Sequence, residues 1–271
     1  MLKDITLGQY YQTDSKLHRL DPRVKLVGTI VFLISLFLYK NITVDVIALL
    51  FLIWVIKLSK VPFQFVVRGI KTIVVLLLIT ALFNVFLTSG EVLLKVWIIK
   101  ITREGVKNAF YISIRLIFLI IGSSIMTLTT TPNQLTDGLE KLLNPLKKIK
   151  VPVHEIAMMM SIALRFIPIL MEETDKIMKA QMARGADFES GNMIKKSKAL
   201  VPLLVPLFIS AFRRANDLAM AMEARCYQGG DGRTKMKPLI YKKRDVIAYF
   251  VLLTYLIIMI VCGKYFPITI L

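Results

Sequence analysis

The sequence predicts an all-α integral membrane protein with about five transmembrane helices and long amphipathic cytoplasmic helices. Three observations carry that expectation. The chain is 56% hydrophobic with a mean hydropathy of +0.64, more apolar than soluble domains usually are. Uncharged runs of 18 residues occur at Thr72–Ser89 and Val246–Gly263, long enough to cross a bilayer. The 36 basic and 18 acidic residues leave a net charge of +18. In a chain with such apolar runs, that excess points to bases gathered on cytoplasmic flanks, not to nucleic acid.

The elements follow in order. The first 23 residues are polar and mixed in charge, without the apolar core of a signal peptide. Asp21-Pro22 is a helix-start signal. The uncharged run Leu26–Tyr39 is short for a span, but Arg23 and Lys25 can snorkel to lengthen it. Lys40-Asn41 breaks the pattern, and Ile42–Ile56 forms a second span with Asp45 near its start. Lys57, Lys60, Pro62, Arg68 and Lys71 form a basic loop before the third span, Thr72–Ser89. Glu91–Lys107, which contains Trp97, reads as a short hairpin or an interfacial piece. A fourth span covers about Asn108–Thr131, with Arg115 anchoring it by snorkelling.

From Pro132 to Arg244 charges recur throughout, and the apolar runs Ile156–Leu164 and Leu200–Phe212 are too short to cross. They suit helices lying along the interface or packed on protein. Pro168, Pro202 and Pro206 are candidate breaks. Val246–Gly263 is the fifth span. The expected organisation is therefore 1–131, four spans; 132–244, a cytoplasmic helical region; and 245–271, a last span.

Orientation follows from the bases. With the N-terminus inside, cytoplasmic segments hold Lys3, Lys16, Arg19, Arg23 and Lys25, then Lys57, Lys60, Arg68 and Lys71, then twenty more between Lys141 and Arg244. The outer segments hold only Lys40, Lys95, Lys100, Arg103, Lys107 and Lys264. The bias places the N-terminus and the 132–244 region in the cytoplasm and the C-terminus outside the cell membrane.

Two arginines in the cytoplasmic region stand out. Arg184 lies between Ala183 and Gly185, and Arg225 between Ala224 and Cys226. Aligned without gaps, Glu172–Ala186 and Arg213–Tyr227 share Ala180/Ala221, Ala183/Ala224 and Arg184/Arg225. Each segment ends an amphipathic helical pattern. Phe208, Phe212, Ala215, Ala219 and Met222 recur on one helical face, whereas Arg213, Arg214 and Asp217 fall off it. Gly185 supplies a left-handed stop. Either arginine alone would be explained by the macrodipole of its own helix. Two in the same Ala-Arg context, 41 residues apart, point to paired docking, with planar guanidinium forks suited to carboxylates on a partner. Ten of the 13 methionines also lie in this region. Singly each could fill an irregular core, but together they suit an adaptable apolar platform.

Searches for chemistry are negative. No phosphate-binding Gly-x-x-x-x-Gly-Lys-Ser/Thr loop occurs, so the chain is not expected to hydrolyse ATP. Gly229-Gly230-Asp231-Gly232 reads as a flexible loop. His154-Glu155 begins a zinc-protease pattern, but Met158 occupies the second histidine position. Cys226 and Cys262 form no disulfide framework. Neither catalytic residues, nor a cofactor, nor a metal site is expected.

The chain resembles the transmembrane scaffold, or T component, of energy-coupling factor transporters. The resemblance is carried by Gly8-Gln9-Tyr10, the run from Asp14 through Leu17-His18-Arg19-Leu20-Asp21-Pro22 to Leu26, Thr127–Pro132, Leu164-Arg165-Phe166-Ile167-Pro168 and both Ala-Arg motifs. The family pattern there is Ala-Arg-Gly; the second copy departs from it at Cys226. The resemblance implies a non-catalytic membrane subunit of an ATP-driven vitamin or micronutrient importer. Two cytoplasmic ATP-binding-cassette subunits would hydrolyse ATP, and a separate S component would bind the substrate. Ala183-Arg184-Gly185 and Ala224-Arg225-Cys226 would each dock one ATPase through cytoplasmic coupling helices. The apolar face with Met158, Met159, Met178 and Met182, and with Leu204, Phe208, Phe212 and Met222, would contact the S component. Unequal followers, Gly185 and Cys226, allow the two ATPases to differ. The competing expectation is a self-sufficient secondary transporter or channel, for which Asp45 and Arg115 would be the intramembrane candidates.

Overall fold

The computed structural model describes residues 9–39, 41–96, 99–186, 188, 193–230 and 236–265. Lys40, Trp97 and Asp231-Gly232 lie outside the described residues. The described residues form eight α-helices and one β-hairpin, in two compact units: Gly8–Lys141 with Leu239–Leu271, and one built on Leu142–Pro238.

In the first unit α1 spans Pro22–Leu38, α2 Ile42–Ser59, α3 Phe63–Leu87, α4 Arg103–Thr129, and α8, the last helix of the chain, Lys243–Tyr265. Between α3 and α4, β1 (Val92–Val96) and β2 (Ile99–Thr102) pair antiparallel, with Val92 opposite Thr102 and Val96 opposite Ile99. Of the two expectations for Glu91–Lys107, the hairpin is the one realised. Asp21 caps α1 by accepting from the Arg23 amide at 2.9 Å, with Pro22 in the first turn. Thr102 caps α4 by accepting from the Gly105 amide at 3.1 Å.

Five helices contribute to the core, α3 through the fully buried Val66. Phe32 and Leu36 of α1 meet Val44, Ala48 and Leu52 of α2, Phe118, Ile121 and Ile125 of α4, and Tyr255 and Met259 of α8. The Phe51 and Tyr255 rings stack at 4.1 Å, and the Tyr255 hydroxyl meets the Ser35 hydroxyl at 2.9 Å. The opposite faces are apolar and exposed: Ile34 and Phe37 on α1, Val75 and Leu78 on α3, Phe250 and Leu253 on α8. So much exposed hydrocarbon on helices fits a lipid surround. By length and composition α2, α4, α6 (Val153–Ala183) and α8 can cross a membrane, and α3 makes a fifth if its two parts, bent by 56°, form one span. The number matches the five expected from sequence, but the membership differs. α1 has 17 residues and falls just short, whereas α6 is long because it does not break where its apolar run ends.

Three charged residues behave otherwise than the sequence suggested. Arg115 is the thirteenth residue of α4, not a snorkel at its edge; it is 6% exposed and its Nε donates to Asp45 Oδ1 at 3.4 Å, while its Nη2 donates to the Tyr39 carbonyl. The Arg23 guanidinium is held by Asp21, the Leu239 carbonyl and the Tyr241 ring face, 3.8 Å away. Lys25 turns inward, its ammonium donating to the carbonyls of Thr129 at 2.8 Å and His18 at 3.2 Å. Charge at these helices is therefore neutralised by protein, which a bundle with an apolar surround requires.

The second unit is built on α6 and α7 (Met193–Ala224), preceded by the end of α5 (Pro132–Leu143) and a 3-10 turn at Asn144–Ile149. Both long helices run through prolines: Pro168 in α6, Pro202 and Pro206 in α7. Pro206 has no amide to offer the Pro202 carbonyl four residues back. The Gln181 side chain of α6 donates to that carbonyl at 3.2 Å instead, so a neighbouring helix restores the lost bond.

Removing one partner of the buried pair should be costly. Arg115→Ala or Asp45→Ala should destabilise the bundle by about 3–5 kcal/mol, while the double replacement Arg115→Leu with Asp45→Leu should retain more stability than either single change. Thermal unfolding of the purified chain in detergent measures all three; a double variant less stable than both singles would contradict the pairing.

Candidate functional site

The two arginine motifs stand at the C-terminal ends of α6 and α7, and the two ends are built alike. In α6, Arg184 is the C-cap residue, Gly185 takes a left-handed φ of 87°, the Gly185 amide donates to the Met182 carbonyl at 2.9 Å and the Ala186 amide to Gln181 at 3.0 Å. In α7, Cys226 takes φ 56°, its amide donates to the Glu223 carbonyl at 2.8 Å, and the Tyr227 amide donates to Met222 at 3.0 Å. Each set is a complete Schellman cap. The absence of glycine at Cys226 therefore does not remove the stop; the cysteine adopts it at a steric cost of about 1–2 kcal/mol.

Ala183, Arg184, Gly185, Ala224, Arg225 and Cys226 are all exposed. Among the described residues neither arginine side chain takes part in a hydrogen bond or ion pair. The caps are made by backbone amides, so the guanidinium groups are not needed to terminate their own helices.

The repeat seen in the sequence has a spatial counterpart. Glu173 and Arg214 occupy equivalent places in the two aligned segments, 41 residues apart, and they meet: Arg214 Nη2 donates to Glu173 Oε2 at 3.2 Å. The helices run antiparallel. Gln181 near the end of α6 reaches Pro202 in the first third of α7, and a Cβ on Gly230, beyond α7, would fall 2.3 Å from the ring of His154 at the start of α6. Equivalent residues of the two aligned segments therefore meet where the helices pass each other. Arg184 and Arg225 each lie 11 residues beyond this contact, roughly 16 Å of helix in opposite directions. The contact ties the two segments together without bringing the arginines into contact. The Glu173–Arg214 tie was missed in the sequence, although the 41-residue offset that relates the arginines also relates this pair.

The apolar residues are divided. On α7, Leu204, Phe208 and Phe212 are 54%, 67% and 58% exposed, and they continue with Val201, Val205 and Ile209 as a stripe at helical spacing. The Phe208 and Phe212 rings lie 5.0 Å apart. On α6, Met159 and Met182 are exposed, whereas Met158 and Met178, like Met222 on α7, are half-buried. The open greasy surface is thus mainly aromatic and aliphatic, with methionines at its margins. Among the described residues no cluster of His, Cys, Asp or Glu could hold a metal ion.

Residues 13–236 match the family model described as cobalt transport protein, CbiQ. The chain belongs to the CbiQ/EcfT family. It is 57% identical over 250 residues to the energy-coupling factor transporter transmembrane protein EcfT of Clostridium kluyveri, covering 92% of this chain and 93% of that one. The proteins of the same description from Bacillus subtilis and Lactococcus lactis subsp. cremoris are 50% and 46% identical, over 246 and 261 residues, covering 90% and 95% of this chain and 93% and 98% of theirs. As a member of this family the chain is a transmembrane transport component, as its sequence motifs implied.

The two caps make opposite predictions. Nothing lies within 4 Å of a Cβ built on Gly185, so Gly185→Ala should cost only the backbone strain, about 1 kcal/mol. Cys226→Gly should relieve strain of similar size. Unfolding midpoints of the two variants should move in opposite directions from the parent.

Proposed function

We propose that this chain is the non-catalytic scaffold of an energy-coupling factor importer in the cell membrane. Arg184 and Arg225 dock one ATPase subunit each, and the exposed stripe of α7 receives the substrate-binding S component. The observation that carries this reading is the pair of similarly built helix ends, each exposed, each capped without its arginine side chain, and each presenting a guanidinium that finds no partner among the described residues. The orientation drawn from the bases puts the N-terminus and the 132–244 region, with both arginines, in the cytoplasm within reach of soluble ATPases, and the C-terminus outside. The helix α6, though long and apolar enough to cross, then lies along the inner face of the membrane and not through it.

In this reading, closure of the ATPases upon ATP binding moves the two helix ends. The antiparallel pair, tied by Glu173–Arg214, transmits that movement as one stiff body to whatever sits on Phe208 and Phe212. Two guanidinium anchors on acidic pockets resist being pulled out, because breaking a desolvated charge pair costs far more than breaking an exposed one. Gly185 and Cys226 give the two sites different outer surfaces on one cap geometry, which accommodates two non-identical ATPases. A self-sufficient transporter draws no support from Asp45 and Arg115, which spend their charges on each other.

Two predictions separate the surfaces. The double variant Arg184→Glu with Arg225→Glu should abolish co-purification of the ATPases from detergent and uncouple hydrolysis from uptake; retention of both would refute the docking role. Phe208→Asp with Phe212→Asp should leave the ATPases bound but weaken S-component association by roughly 2–4 kcal/mol, about thirtyfold or more, read as the ratio of S component to ATPase in the purified complex.

A further inference from the structure

Two adjoining cavities of opposite character open at one end of the bundle formed by α1, α2, α4 and α8. The larger, of about 600 Å³, is apolar. Its walls are α1 from Val24 to Phe32, the second half of α2 with Phe51 and Val55, the end of α4 with Ile125, and the first half of α8 with Leu252. From Val24 to Phe32 it runs along eight residues of α1, roughly 12 Å. The smaller, of about 450 Å³, is bounded by Lys16 and Arg19 ahead of α1 and by Lys57 and Lys60 at the end of α2. Lys16, Arg19, Trp54 and Leu58 line both.

The charge balance of the smaller cavity is one-sided. Its single carboxylate, Asp14, is paired with Arg19. Among the described residues no ion pair engages Lys16, Lys57 or Lys60, so three ammonium groups face one space. Arg244 adds a fourth cation at the rim of the apolar cavity. Bases at a helix end are ordinarily a solvated flank, but a solvated flank does not need an apolar well beneath it. The polar groups inside that well are already spent: the Thr29 hydroxyl donates to the Lys25 carbonyl at 2.8 Å, and the Lys25 ammonium is held by Thr129 and His18. A peptide strand in the well would find no partners for its amides and carbonyls, whereas an acyl chain needs none. Trp54, 48% exposed, lines both the apolar and the basic cavity, the amphipathic setting that interfacial indole rings favour.

We propose that this composite cavity is a binding site for an anionic phospholipid, with its phosphate among Lys16, Lys57 and Lys60 and one acyl chain in the apolar well between α1, α2, α4 and α8. Basic pockets beside transmembrane helices commonly hold such headgroups. The site rests on the membrane embedding of the bundle and is independent of the partners proposed above.

The chain has two tryptophans, Trp54 and Trp97, which makes the site addressable. Full-length protein carrying Trp97→Phe, reconstituted in phosphatidylcholine vesicles, reports from Trp54 alone. Phosphatidylglycerol with brominated acyl chains should quench Trp54 more strongly than brominated phosphatidylcholine at the same mole fraction. The variant K16Q/K57Q/K60Q should lose that preference, by roughly fivefold for each base removed. Lys57→Gln alone, a change at an exposed helix end, gives a partial loss and keeps the test open if the triple variant does not fold. Equal quenching by the two lipids, or an unchanged preference in the Lys57→Gln and triple variants, overturns the proposal. So does loss of the preference when soluble glycerol phosphate is added, which would make the site one for free anions. Photo-crosslinking from position 54 that captures a polypeptide instead of lipid overturns it as well.

Discussion

The contact of Arg115 with Asp45 and the Tyr39 carbonyl governs how the membrane unit is assembled. A guanidinium partway along a 27-residue helix has no water to turn to, so its partners must arrive from other helices. They come from the end of α1 and the start of α2, and this fixes the break between those helices against the side of α4. A second tie acts nearby: the Asn41 amide group donates to the Gly263 carbonyl of α8 at 3.1 Å. At the opposite end the Lys25 ammonium takes the Thr129 carbonyl of α4, and the Asp245 carboxylate accepts from the Asp21 amide at 2.9 Å and the Lys242 amide at 2.8 Å. Hydrocarbon contacts can slide, since lipid and core are alike in polarity. These directional bonds at both ends set the register of α1, α2, α4 and α8.

The second unit solves a different problem. Two helices of 31 and 32 residues expose most of their surface and still run unbroken. Interior prolines work against that. The structure answers with cross-helix polar ties: Gln181 repairs the Pro202 carbonyl, and Glu173 holds Arg214. Both leave the Leu204–Phe208–Phe212 face untouched. A rod whose internal bonds lie on one side keeps the other side free for a partner.

Much of this was legible in the sequence, for identifiable reasons. Asp21-Pro22 marks the start of α1 because capping is local chemistry. The stripe of Phe208 and Phe212 is visible because helical periodicity is local too. Gly185 announces its stop because only glycine adopts that conformation without strain. What stayed hidden depended on contacts between distant residues. Arg115 read as a snorkel because its partner, Asp45, lies 70 positions away. Pro202 and Pro206 read as breaks because Gln181, which restores the bond, is on another helix. At Cys226 the departure from Ala-Arg-Gly left the stop unmarked, because the sequence does not reveal that two amide bonds hold this end in the left-handed region. The relation of Glu173 to Arg214 was within reach, since the repeat that pairs Arg184 with Arg225 pairs them too, but pattern matching rewards identical residues and overlooks complementary ones.

That complementarity bears on the repeat itself. If the two segments were identical, the residues meeting where the helices pass would be two glutamates or two arginines and would repel. Glu173 against Arg214 turns the meeting from a point of repulsion into one of attraction, which only a divergent repeat can do. The same divergence separates Gly185 from Cys226 at the far ends. The backbone caps are nevertheless alike, each made by two amide bonds around a left-handed residue. The two helix ends thus hold two arginines in like backbone frames and still give each a different neighbourhood.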